Sequence, residues 1–238
     1  MGVRLEWPVR LGIAAVVTFA IAGLVVVAGG TPSPIDSASR ELAHRWTFLE
    51  PTGAWVSEWS LKIAQPIILA CLVVLLVRRE WIPPVAMLLV FAVGDLAVTG
   101  FKEAFHRPRP EEAILQSFAF PSAHATGAAH QWGILLLLAV PLVMRQSAPR
   151  WWLVLLWVGI AGVTSLARVA EGEHWLTDVV AGFAVGAFLA AVSAWASLRA
   201  WGAARRSHIR GKDQDLQADA AEQGVPADAP QLRERARG

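Results

Sequence analysis

Six runs of apolar residues, each near the ~20 residues that cross about 30 Å of hydrocarbon at about 1.5 Å per residue, constrain this chain more than any other feature. They lie at approximately Val9 to Ala28, Leu61 to Val77, Ile82 to Phe101, Ala123 to Met144, Trp151 to Ala167 and Trp175 to Ser197. Inside a bilayer every backbone N–H and C=O must be satisfied within the protein, so runs of this length imply helices. The expected fold class is therefore all-α, a polytopic membrane bundle with six transmembrane helices. Composition agrees, with 55% hydrophobic and only 17% charged residues in 238 and a mean hydropathy of +0.46, too apolar for an ordinary soluble domain. The formal net charge is +2 and the basic residues are scattered between apolar blocks, which excludes a nucleic-acid partner. Cys71, the lone cysteine, sits in an apolar run, cannot form an intramolecular disulfide, and reads as a small buried hydrophobe.

The first apolar run is longer than the hydrophobic region of a signal peptide and is expected to stay as an anchor. Lys and Arg set the orientation. Eleven of them (Arg4, Arg10, Arg78, Arg79, Arg145, Arg150, Arg199, Arg205, Arg206, Arg210, Lys212) fall on one side of the bundle, and seven (Arg40, Arg45, Lys62, Lys102, Arg107, Arg109, Arg168) on the other. The richer side is cytoplasmic by the positive-inside rule, which puts both termini inside and makes a multi-pass protein of the cell membrane. The outer loop 30–60 opens with Gly29-Gly30-Thr31-Pro32-Ser33-Pro34 and then mixes Trp46, Phe48, Trp55 and Trp59 with charges. Such a mixture suits a helix in the headgroup layer, either guiding a lipid toward a site or anchoring the second span. Residues 1–205 form the membrane domain. Residues 206–238, rich in Asp, Gln, Ala, Pro and Arg, read as a disordered cytoplasmic tail. Gly182 and Gly186 are expected to pack against another helix of the same monomer; the oligomeric state is not legible.

With this topology the loops after the third and fifth spans emerge on the same outer face. They hold Lys102, Arg107 and Arg109, then Pro121-Ser122-Ala123-His124, and Arg168 with Glu171, Glu173, His174 and Asp178. Lys102, Arg109 and Arg168 offer compact positive charge and a fan of donors suited to a phosphoryl group in transfer. Ser122 and the N–H groups opening the fourth span add donors and the positive end of a helix dipole, and Pro121 favours a sharp helix start there. His174 and Asp178, four apart, are expected on one face of the last helix. The carboxylate would take a proton from one imidazole nitrogen and leave the other as a nucleophile. His124 is placed to protonate the leaving oxygen. His44, His106, Arg107 and His130 read as structural or supporting groups. Asp95, inside the third span, is a functional candidate by its depth, in its simplest role a buried partner for Lys102. No cluster of Cys and His has metal-ligand spacing, and neither a metal nor another cofactor is expected.

These residues resemble the signatures of the type 2 phosphatidic acid phosphatase superfamily, membrane lipid phosphatases related to the vanadium-dependent haloperoxidases. The first is Lys102 with Arg109-Pro110, the second Pro121-Ser122-Ala123-His124, and the third Arg168 with His174 and Asp178. The resemblance implies that His174 forms a phosphohistidine, that Asp178 orients it, and that His124 is the acid. It implies phosphate binding by Lys102, Arg109, Ser122, Ala123 and Arg168. Two positions depart from the family: Ala123 stands where Gly is usual, and Ala167 where Ser is usual before Arg168. Ala123 matters if its N–H must approach phosphate closely, because Ala has less backbone freedom than Gly. The expected function is hydrolysis of a lipid phosphate or pyrophosphate at the outer face, on a polyprenyl pyrophosphate, phosphatidylglycerophosphate or phosphatidic acid type of substrate. The competing reading is a membrane protein that binds or transports phospholipid without hydrolysing it.

Overall fold

The computed structural model describes residues 6–29, 31–45, 49–146 and 149–222. Its helices are α1 (Glu6–Gly29), α2 (Pro34–His44), α3 (Leu49–Val77), α4 (Ile82–Phe105), α5 (Ala123–Gly133), a π-helical turn (Ile134–Ala139), α6 (Val140–Val143), α7 (Trp151–Ala170) and α8 (Leu176–Glu222). The described residues contain no strand. Six stretches are long and apolar enough to span a membrane, with α5, the π turn and α6 forming one continuous crossing. The wide turn precedes Pro141, which has no N–H to donate, and the Val140 N–H reaches back to Leu135 O across it.

Burial separates the crossings into centre and rim. The Ala123–Val143 crossing is buried along most of its length, whereas α1 and α3 expose most of theirs. Val16, Val17, Leu24 and Val27 of α1 and Leu69 and Val77 of α3 present their side chains outward, as lipid-facing positions should. Trp132, Leu135, Leu136, Leu153 and Trp157 pack the centre. Polar pins tie the helices at depth. Trp132 Nε1 donates to Ser60 Oγ at 2.9 Å, Thr164 Oγ1 donates to the same oxygen at 2.8 Å, and Trp157 Nε1 donates to Ala129 O at 2.9 Å.

Close packing of α8 on α5 carries the architecture to the site. A Cβ on Gly182 would stand 2.4 Å from Ser122 O, and one on Gly186 would stand 2.3 Å from Thr126 O, so both glycines serve a contact within the monomer. Gly186→Ala is expected to cost about 1–3 kcal/mol by forcing the helices apart. Since a protein of this size loses about 2–4 °C per kcal/mol, the apparent Tm in detergent should fall by several degrees; an unchanged Tm would remove the contact from the account of stability.

Two expectations are revised. Trp55 and Trp59 lie on α3, which already starts at Leu49, and not in a separate interfacial loop; Trp46 and Phe48 lie outside the described residues. The one short helix of that region, α2, buries Asp36 and Arg40 against the protein and leaves Ile35 and Leu42 exposed. At the other end α8 continues past position 205 to Glu222, because Ala, Gln, Lys and Glu keep a polar helix going where there is no apolar surface to bury; residues 223–238 lie outside the described residues.

Candidate functional site

At one end of the bundle α2 and the tips of α4, α5, α7 and α8 converge. α4 stops at His106, whose left-handed conformation (φ 45°) closes the helix with its N–H on Lys102 O. The chain then turns Arg107 inward. Arg107 is 2% exposed and is fully engaged: Nη2 donates to Asp36 Oδ2 at 2.6 Å, while Nη1 donates to Asp178 Oδ1 at 2.5 Å and to Thr177 Oγ1 at 2.6 Å. Asp36 belongs to the capping box of α2, with Ser33 as N-cap. Its Oδ1 also accepts the Thr177 N–H at 3.0 Å. Burial would raise the Asp36 pKa, but hydrogen bonds from Ser33, Thr177 and Arg107 outweigh it and hold the carboxyl below the usual range. Asp36 and Asp178 thus flank one guanidinium in a fully buried row.

Asp178 faces His174 with its other oxygen. Oδ2 accepts the Trp175 N–H at 3.0 Å and stands 3.6 Å from His174 Nδ1, close enough to orient the ring although longer than a hydrogen bond. His174 is not on the helix as expected but in the turn before it, since α8 starts at Leu176. That turn is fastened by the Glu173 and His174 N–H groups, both 3.2 Å from Arg168 O. His174 Nε2 points toward the cations, 3.0 Å from Arg109 Nη1. The ring is 1% exposed, and its pKa is lowered first by burial, with Arg109 and Arg168 adding to the effect and Asp178 opposing it. A neutral ring with an available lone pair should therefore persist below the ordinary imidazole range near pH 6.5. Nitrogen-15 shifts of labelled His174 in detergent test this; an imidazolium signal at pH 6.5 or above would contradict it.

The cations are arranged around that nitrogen. Arg109 donates to Ser117 O and to Glu173 O, each at 2.6 Å, and to Ser117 Oγ at 3.0 Å. Arg168 pairs with Glu171 and lies 4.0 Å from Glu173; its Nε is buried without a hydrogen-bond partner among the described residues. Lys102 donates to Phe118 O and is within electrostatic reach of Arg109 and Asp178. His124 is half-buried and feels Arg168, His174 and Arg109. Ser122 is the N-cap of α5, its Oγ accepting the Ala125 N–H at 3.5 Å, and its own N–H donates to Asp178 O at 3.0 Å. Pro121 precedes that cap and so stands outside the first turn. Ala123 opens the helix with its side chain exposed, leaving its N–H among the unsatisfied donors of the first turn.

The two glutamates are accounted for by these cations. Glu171 accepts from Ser57 Oγ at 2.7 Å and from Arg168, and burial raises its pKa against those bonds. Glu173 holds the preceding loop through the Ile114 and Leu115 N–H groups at 3.1 and 3.4 Å. Asp95 is not a partner for Lys102: seven residues apart, the two are separated by about 10 Å along α4, and the lysine turns to Phe118 instead. Sequence reasoning missed Asp36. The signal was present as Ser33-Pro34-Ile35-Asp36, a helix-start pattern, but only the fold shows its carboxylate reaching Arg107.

The assembly brings together the three cations, both histidines and Asp178 at one membrane-proximal point. The sequence matches the PAP2 superfamily over residues 83–201, from the start of α4 into α8. Phosphatidylglycerophosphatase B of Bacillus subtilis (strain 168) is 33% identical over 115 residues, covering 47% of this chain and 56% of that protein, so the match spans little more than half of that relative. The fold is similar to the crystal structure of a transmembrane PAP2 type phosphatidylglycerolphosphate phosphatase from Bacillus subtilis, with a TM-score of 0.59 and 24% identity over 76% of this chain and 91% of that one.

Proposed function

The chain belongs to the PAP2 superfamily, and on that premise we propose that it hydrolyses a lipid phosphate through a phosphohistidine on the outer face of the membrane. The observation that carries the reading is His174 Nε2, 3.0 Å from Arg109 Nη1, with Asp178 behind the opposite ring nitrogen. Nε2 attacks phosphorus, the phosphorus–oxygen bond to the lipid breaks, and His124 gives its proton to the leaving oxygen. Lys102, Arg109 and Arg168, with the Ser122 hydroxyl and the Ala123 N–H, hold the phosphoryl oxygens as charge spreads over them. Water, relieved of a proton by His124, then attacks phosphorus and breaks the nitrogen–phosphorus bond, releasing phosphate. Recognition without hydrolysis needs no nucleophile and acid pair, which disfavours a binding or transport protein.

The outer-face assignment rests on the excess of Lys and Arg at the other end of the bundle. Among substrates, phosphatidylglycerophosphate is favoured by the relative's name, with phosphatidic acid and polyprenyl pyrophosphate as the comparison set. Purified protein in detergent should release phosphate from at least one of them in the presence of EDTA, because the three side-chain cations supply the charge a metal would otherwise bring. Loss of all activity in EDTA, restored by a divalent cation, would reject this mechanism.

A further inference from the structure

At the end of the bundle opposite the site, two helices close with the same unusual turn. Where α3 ends, the Arg79 N–H donates to Leu76 O at 2.8 Å and the Glu80 N–H to Leu75 O at 2.9 Å. Where α6 ends, the Arg145 N–H donates to Leu142 O at 2.9 Å and the Gln146 N–H to Pro141 O at 2.7 Å. Both turns pivot on a residue in the left-handed conformation, Arg79 at φ 59° and Arg145 at φ 56°. Glycine is usual at that position because a Cβ is penalised there, yet this chain places an exposed arginine in each. Arg78 Nη1 donates to Val143 O at 2.8 Å, which fastens the two turns side by side.

A groove of about 1170 Å³ opens beside these turns, between α4 and α8. Arg78, Arg79 and Glu80 form its rim, and Trp81 and Trp201 stand on its walls. Two guanidiniums against one carboxylate leave the rim positive, and Arg145 on the adjoining turn adds to it. Trp81 is 68% exposed, the posture of an indole at headgroup depth. Below it the small side chains of Ala86, Ala196 and Ala200 keep the two helices from filling the space. The groove reaches Leu89, which lies about 10 Å along α4 from Ile82 at about 1.5 Å per residue. Its shape and charge therefore match an amphiphile with an anionic head at the membrane surface and an apolar chain running inward.

The geometry points to a binding site for an anionic phospholipid of the leaflet away from His174, with its phosphodiester held by Arg78, Arg79 and Arg145 and one acyl chain in the α4–α8 groove. The lipid is a stabilising ligand there and not a substrate, since the rim holds no histidine. The site stands apart from the phosphatase reading, and neither depends on the other. Conformational strain at Arg79 and Arg145 is retained because the side chain, and not the turn, is what the position serves.

The test measures the apparent Tm of the full-length protein in non-ionic detergent with phosphatidylserine or phosphatidylcholine added. Both are phosphodiesters, so neither offers the phosphomonoester expected at His174, and only the first carries net negative charge. At 100 times its Kd, phosphatidylserine should raise the wild-type Tm by about 5–10 °C, and phosphatidylcholine should do far less. Arg79→Gly and Arg145→Gly relieve the left-handed strain, so each should raise the Tm in detergent alone by about 2–4 °C. The double variant should nevertheless lose the phosphatidylserine shift. Arg45→Gln, which removes an exposed charge at the other end of the bundle, should keep it. Ala200→Phe, which narrows the groove without touching a charge, should at least halve it. Equal wild-type shifts with the two lipids overturn the site, as does a full shift in the double variant or in Ala200→Phe. Loss of the shift in Arg45→Gln would reduce the effect to net charge and overturn it as well.

Discussion

His174→Ala should lower phosphate release by at least about 10⁴-fold, the order seen when the nucleophile of a covalent mechanism is removed. The fold should survive the change. His174 forms no short buried ion pair, and Asp178 keeps its bonds to Arg107 and to the Trp175 N–H without it. A phosphoenzyme trapped by acid quench from the wild-type protein should be absent from the variant. His124→Ala should behave differently. Loss of a general acid costs about 10²–10⁴-fold, but a substrate with a good leaving group, such as an aryl phosphate, needs little protonation and should recover much of that loss. Full turnover by the His174 variant ends the nucleophile assignment, and an equal penalty on aryl and alkyl phosphates ends the acid assignment of His124.

The second large effect is expected at Arg107. Arg107→Leu leaves Asp36 and Asp178 buried with no cation between them, and breaking a buried pair on one side costs about 3–5 kcal/mol. The sign of the pH dependence distinguishes this from a simple packing defect. In the wild-type protein the Asp36 pKa is depressed, so its stabilisation is present above the carboxylate's unfolded pKa and lost as pH falls through the lower, folded value. In the variant the facing carboxylates repel, a folded-state pKa rises, and stability gained by protonation is present at low pH and lost as pH increases. The variant should thus be most stable in mild acid, where the wild-type protein is not. Asp36→Asn keeps the shape and the Thr177 contacts and should fold, yet it should lower kcat more than it raises KM, because its effect reaches His174 only through Arg107 and Asp178. A Tm that falls with acid equally in the wild-type and Arg107→Leu proteins would argue against the buried row.

Hydropathy revealed the six crossings because a bilayer leaves the backbone no alternative to helices. The candidate site was legible as a cluster because its residues are unusual where they stand: cations and histidines gathered at the ends of spans that otherwise carry few. What escaped the sequence is long-range pairing. Asp36 meets Arg107 71 residues away and Thr177 141 residues away, and nothing local to α2 distinguishes a capping carboxylate that also reaches outward. Glu171 and Glu173 place negative charge beside a cation cluster, and only the fold gives each its guanidinium and its hydroxyl or amide partners. The placement of His174 in a turn also depended on the fold, since four-residue spacing to Asp178 is equally compatible with a helical face.

The glutamates in contact with Arg168 and Arg109 have a consequence for turnover. A resting guanidinium here already carries an internal counter-ion, so under the proposed function an arriving phosphate would trade places with a tethered carboxylate and would not have to strip a bare cation of solvent. On the proposed mechanism the same exchange would run in reverse after hydrolysis, the carboxylates displacing the freed anion and keeping the protein from being clogged by its own product.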